Sequence, residues 1–184
     1  MPERGGAGLI SVVGGESTGK STLAAALGLS LPGVVVGEHL RTWVEEHGGR
    51  VPSAVEQAAV AAAQRESEIA AKAVAAGRGL SWAVSDSGPL MTAVYSIQYF
   101  NDHTLLPSAI HDITNADLVV WCAPDVPWQP DGKHRDGPQA RDLTDQLIRS
   151  QIEPALTGTR LIRVSGSPAN RLDKVLTALG SSTP

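Results

Sequence analysis

Short apolar runs alternate along this chain with longer stretches of helical character. Residues 9–13, 34–36, 82–86, 117–122 and 160–164 are rich in Val, Ile and Leu and are flanked by Gly, Pro or Asp. Brief, continuous apolar runs bounded by turn formers predict buried parallel strands. Between them the pattern changes. Residues 21–28 follow a glycine-rich loop and read as a helix. Residues 53–76 are an Ala/Glu/Gln run without Pro or Gly, the strongest helix signal in the chain. Ser53 and Glu56 stand at capping-box spacing, and Gly77 and Gly79 end the run. Residues 90–100 carry Tyr95, Tyr99 and Phe100 at turn spacing, 139–153 are helical by composition, and 170–179 form a last helix. Residues 38–51 are mixed and polar, broken at Gly48-Gly49, and predict no element. Residues 124–138 hold four Pro and two Gly and read as a substantial loop, while the tail 181–184 is expected to fray. Alternating strands and helices predict an α/β fold, a three-layer sandwich around a mostly parallel five-stranded sheet, in a single domain spanning residues 1–184.

Composition narrows the function classes. The chain has 184 residues, 42% of them hydrophobic, enough for a real core. Fifteen Lys and Arg stand against nineteen Asp and Glu, for a net charge of −4, which argues against a nucleic-acid binder. One cysteine, Cys122, excludes a disulfide framework and a four-cysteine zinc site. No apolar run is long enough to span a bilayer, and the first residues lack a hydrophobic signal segment, so a cytoplasmic setting without membrane contact is expected. Nothing in the pattern excludes a homo-oligomer.

One segment carries specific chemistry. Gly14-Gly15-Glu16-Ser17-Thr18-Gly19-Lys20-Ser21 matches G-x-x-x-x-G-K-[ST] in full, with a predicted strand before it and a helix after it. Its glycines let the backbone curl so that amides point at phosphate oxygens, and the helix start adds its positive end. Gly15, Glu16, Ser17, Thr18, Gly19 and Thr22 are expected around the phosphates of ATP. Lys20 reaches the β- and γ-phosphates, and the Ser21 hydroxyl ligates Mg²⁺. The second acid of such a P-loop site belongs at the end of a neighbouring strand. Asp86 is placed for that, either holding Mg²⁺ or accepting a proton from the substrate hydroxyl. Asp117 stands at the wrong end of its strand, and Asp125 is a weaker rival.

The chain lacks an N-K-x-D motif after a strand, which disfavours a GTPase, and is short for an ATP-driven machine. A small phosphotransferase remains, and it needs an acceptor pocket, a proton acceptor and an arginine-bearing lid. Glu38 and Arg41 follow the second strand, where a parallel sheet opens onto its ligand crevice. A carboxylate there can hold ribose hydroxyls, with Arg41 orienting it. Trp128 in the Pro-rich loop is a candidate stacking residue, and Arg135 and Arg141 at the lid are candidates for phosphate contact. Tyr99 reaches toward the acceptor pocket, and Arg171 toward adenine.

Taken in order, these segments resemble the ribosylnicotinamide kinase domain of NadR-type NAD-salvage regulators, over roughly residues 9–179. The resemblance rests on GGESTGKST at 14–22, on Glu38-His39-Leu40-Arg41, on residues 86–92, on Pro127-Trp128 with Asp131-Gly132 and Arg135, and on Ser167-Pro168 with Arg171-Leu172. It implies a kinase moving the ATP γ-phosphoryl group to the 5'-hydroxyl of nicotinamide riboside. Lys20 and Ser21 would serve ATP-Mg²⁺, Asp86 the base or magnesium-associated acid, Glu38 and Arg41 the riboside, and Trp128 the pyridinium ring. The chain departs from the family at Gly88, where a second acid is usual, and has one additional residue in the lid at Gly132-Lys133-His134-Arg135. The DNA-binding and adenylyltransferase activities of such regulators are not expected in these 184 residues. Two alternatives remain open, a kinase for another nucleoside or nucleotide, and an ATP-binding regulatory or switch protein.

Overall fold

The computed structural model describes residues 6–129 and 137–180. Arg135 and residues 130–136 of the predicted lid therefore lie outside the described residues. The chain runs β1 (Gly8–Val13), α1 (Lys20–Ser30), β2 (Gly33–Val36), α2 (His39–Glu46), α3 (Ala54–Gly77), β3 (Trp82–Asp86), α4 (Pro89–Phe100), α5 (Leu106–Thr114), β4 (Leu118–Cys122), α6 (Pro138–Leu147), β5 (Leu161–Val164) and α7 (Pro168–Gly180). The five strands pair in the order β2-β3-β1-β4-β5, all parallel. The central β1 is where the order reverses, so the crevice beyond its carboxyl end is the natural ligand site of the sheet.

Side-chain alternation sorts the strands onto two cores. Leu9 and Val13 of β1 pack with Met91, Val94, Trp121 and Ile148 on one face, under α3 to α6. Ile10 and Val12 pack with Leu23, Leu27, Val84, Val120 and Val175 on the other, under α1 and α7. Ser11 and Ser85, paired across β1 and β3, interrupt the first face with hydroxyls at 3% and 0% exposure. Burial of a Val or Leu side chain contributes roughly 1.5–3 kcal/mol, so two polar residues at the centre of the sheet need a reason.

Three segments differ from the sequence reading. The polar stretch after β2 forms α2, whose first amide is not capped locally: the His39 N–H donates to Gln64 Oε1 of α3 at 2.7 Å. A cap supplied by a distant helix leaves no local signal. The interval between Phe100 and Ala116 contains α5. The helix expected over 139–153 keeps α-geometry only to Leu147, then widens into a π-turn at Ile148–Ile152 and a 3₁₀ turn at Glu153–Leu156. Arg149 and Arg163 lie over the buried Trp121 ring there, and both donate to Asp145. The α3 capping box forms as read, with the Ser53 N–H donating to Glu56 at 2.9 Å. Among the described residues no helix is long and apolar enough to cross a membrane.

Candidate active site

The loop between β1 and α1 is built from backbone geometry. Gly14 and Gly19 take positive φ, +144° and +81°. A Cβ at Gly14 would also stand 2.8 Å from the Cys122 carbonyl. Ser17 adopts φ 52° without being glycine, and its hydroxyl accepts from the Gln129 N–H at 3.0 Å. The Gly15 carbonyl accepts from Thr18 Oγ1 at 2.7 Å and from Lys20 Nζ at 2.9 Å, so Lys20 lies across the loop with its ammonium at the cradle. Cys122 faces the loop but is inert, since burial pushes its thiol up to about 11.

Arg171 finishes the loop from below. It is 2% exposed and donates to the carbonyls of Thr18 (2.6 Å), Gly166 (3.0 Å) and Ala123 (3.2 Å) and to the Asp125 carboxylate. The expectation that Arg171 faces adenine is corrected: its donors are taken by the protein, and it ties the loop to the ends of β4 and β5. Asp125, which also accepts from the Gly166 N–H at 2.6 Å, is part of this brace and not a rival base. Arg141 is corrected in the same way. It packs beneath Gly15, donates to the Val126 carbonyl at 2.8 Å, and does not line the cleft.

A cleft of about 690 Å³ runs from this loop to α2 and α4. Glu16 to Thr22, including Ser21, form its phosphate end, while Glu38, Arg41, Val44 and Glu45, with Tyr95, Tyr99 and Phe100, form the other. Tyr99 is 44% exposed and tilts against Tyr95 at 6.3 Å, so α4 turns its aromatic edge into the cleft. Burial first, then the charges of Glu38, Glu16 and Asp86, hold the Tyr95 hydroxyl well above its ordinary range. That combination marks the cleft as acidic and aromatic. Trp128 does not line it; the loop carrying it is held by Ser17 and Arg141, and the ring is half-buried there. The aromatic surface comes instead from α4.

Asp86 ends β3 opposite Val12, 7% exposed, with Oδ1 buried and unpartnered among the described residues. It stands outside the cleft lining, near enough to Tyr95 and Cys122 for its charge to reach both. The next residue, Ser87, is held at φ 59° by its N–H bond to the Val12 carbonyl at 3.0 Å. A non-glycine residue in that region costs roughly 1–3 kcal/mol and clusters at functional sites. An orphaned buried carboxylate oxygen and the Ser21 hydroxyl at the loop rim suit Mg²⁺, which needs only one or two protein oxygens beside phosphate and water. Asp117, by contrast, accepts the Leu9 N–H at 2.9 Å and serves the fold.

The sequence reading missed Gln57, Gln64 and Glu68, polar residues 3%, 1% and 6% exposed on α3. Glu68 Oε1 accepts from the Ser85 hydroxyl at 2.5 Å. It also fills the space beside Gly88, where a Cβ would stand 2.8 Å from that oxygen.

The family model described as AAA domain matches residues 9–171. No curated protein sequence matches the chain. Among solved structures, NadR protein in complex with NR is similar over 96% of this chain and 52% of its own, at 20% identity and a TM-score of 0.74. The chain thus spans about half the length of that protein. Thymidylate kinase from Candida albicans aligns over 96% of this chain and 92% of its own, at 15% identity and a TM-score of 0.70. Deoxyadenosine kinase from M. mycoides with bound dATP aligns over 94% and 98%, at 12% identity and a TM-score of 0.60. At these identities the likeness shows the fold, that of the P-loop kinases.

Proposed function

The chain belongs to the AAA-domain family whose model it matches, and from that premise we propose that it is an ATP-dependent kinase acting on the 5'-hydroxyl of nicotinamide riboside. The observation that carries this reading is one continuous cleft joining a complete phosphate loop to an acidic, aromatic pocket. Lys20 neutralises the β- and γ-phosphates, and the amides of residues 15–20 hold their oxygens. Ser21 and Asp86 would hold Mg²⁺, which when bound offsets charge on the transferred group. The acceptor oxygen attacks the γ-phosphorus, the β–γ bridging bond breaks and ADP departs. The hydroxyl proton passes to the Asp86 carboxylate, whose Oδ1 has no other partner among the described residues. Glu38 and Arg41 take the ribose hydroxyls. A pyridinium ring suits Tyr99 and Phe100 through cation–π contact worth about 0.5–1 kcal/mol at an exposed site, and Glu16 and Glu38 through their charge.

The likeness to NadR bound to NR supports the acceptor, and the likeness to thymidylate and deoxyadenosine kinases supports a second reading, a kinase for another nucleoside or nucleotide. A panel of nucleosides with ATP and Mg²⁺, read as ADP release, separates them. Nicotinamide riboside should give the highest kcat/KM. Preference for a neutral nucleoside would move the assignment to the second reading, and no acceptor-dependent release would remove the kinase.

A further inference from the structure

The buried polar groups of α3 form a chain of hydrogen bonds with one direction. The His39 N–H donates to Gln64 Oε1 (2.7 Å), Gln64 Nε2 donates to Ser85 Oγ (3.3 Å), and the Ser85 hydroxyl donates to Glu68 Oε1 (2.5 Å). Gln64 Nε2 also reaches the Gly37 carbonyl at 3.3 Å. One end of the chain is the first amide of α2, next to Glu38 in the acceptor wall. The middle is the residue before Asp86. The other end is a carboxylate in a pocket that exists because residue 88 is glycine and β1 offers Ser11. A serine whose proton is committed to a carboxylate presents a lone pair to Gln64, which fixes the amide orientation that caps α2.

We propose that Glu68 is a positioning residue of the acceptor site, holding the start of α2, and with it Glu38, in register with Asp86 through Ser85 and Gln64. Its ionisation then sets how firmly α2 is held. Burial pushes Glu68 up to about 7, with the Ser85 bond opposing, Asp112 of α5 raising and Lys72 of α3 lowering; Ser11 and Gly88 add no charge. The link to an acceptor rests on the kinase reading; the link to α2 does not.

The full chain carrying Glu68→Ala, Gln64→Leu or Glu68→Gln provides the test. Glu68→Ala, which removes one buried hydrogen bond, should raise KM for the acceptor about fivefold, and Gln64→Leu, which removes three, at least as much, while KM for ATP stays within about twofold. Hydrogen exchange over residues 38–46 should quicken in both, with α1 unchanged. Glu68→Gln keeps an acceptor for Ser85 without the charge, so protection of 38–46 should recover and the wild-type change in acceptor KM across neutral pH should vanish. Unchanged exchange over 38–46 in both truncating variants would overturn the proposal. So would equal loosening of α1 and β1, which marks a merely structural group, and so would a Glu68→Gln variant that keeps the wild-type pH profile. Exchange is read without turnover, so failure to phosphorylate any nucleoside counts against the kinase reading alone.

Discussion

The two halves of the cleft are held in different ways. At the phosphate half, the loop's own backbone does most of the shaping, fixed by positive φ at Gly14, Ser17 and Gly19 and closed underneath by Arg171. At the acceptor half, the shape depends on side chains from separate elements: Gln64 and Glu68 of α3 reach β3 and the start of α2. A backbone-built site tolerates neighbouring substitutions and demands its own residues. A side-chain-built site can be retuned from a distance. That contrast fits a domain in which phosphate handling is common to many substrates and the acceptor is not.

The largest effect should come from the phosphate half. Lys20→Ala removes the only ammonium at the cradle among the described residues, and kcat/KM for ATP should fall about 10³-fold with little change in Tm. Calorimetric titration with ATP-Mg²⁺ beside steady-state kinetics checks this. Intact affinity together with intact turnover would break the comparison at its stronger side.

Asp86→Asn comes next. It keeps the shape of β3 while removing the charge, so kcat should drop about 10²-fold with ATP affinity changed less than threefold. A kcat within twofold of wild type would return the role to Glu38.

Arg171→Ala should be felt in stability and in nucleotide affinity together. It removes a donor from three carbonyls and from the Asp125 carboxylate, which keeps the Gly166 N–H, and with Asp125 39% exposed on its side chain the loss should be about 2 kcal/mol in urea unfolding. A drop in stability with unchanged ATP affinity would show that the loop keeps its shape unaided.

The smallest effect sharpens the acceptor side. Glu68 sits near 7 in the folded chain against an ordinary value of 4.5, so the folded state holds its proton more tightly than the unfolded one. Its contribution to stability is full below about 4.5 and declines as pH rises through about 7. Wild type should therefore lose stability relative to Glu68→Gln between about pH 4.5 and 7, read as the difference in Tm. A constant difference would mean that Glu68 is already ionised throughout.

The same contrast explains what the sequence made legible. Five strands, the long helix and the phosphate loop are local patterns, and their residues carry them: an apolar run, an Ala-rich stretch with its capping box, a spaced G-K-S. The acceptor side depends on meetings across the fold. The helix α2 is short, fully without buried residues and capped from α3, so nothing between Glu38 and Glu46 announces it. Gln57, Gln64 and Glu68 did leave a trace, since they share with Val60, Ala71 and Ala75 the buried stripe of α3, where polar residues are out of place. Arginine chemistry suits phosphate, which points to Arg141 as a phosphate contact, and the place of Arg171 after the last strand points to adenine. Which arginine faces solvent and which lies under a loop is decided by packing.

Arg171 also sets an order in time. Its guanidinium joins the Thr18 carbonyl to the ends of β4 and β5, across 153 positions of sequence. During synthesis the glycine-rich turn leaves the ribosome well before α7, and its closing contact waits until that helix has emerged and docked. Contacts of such separation come late, because the loop-closure entropy precedes any gain. A nascent chain stopped short of residue 171 would carry the whole phosphate signature and still hold nucleotide poorly, so the part of the fold written first is the part completed last.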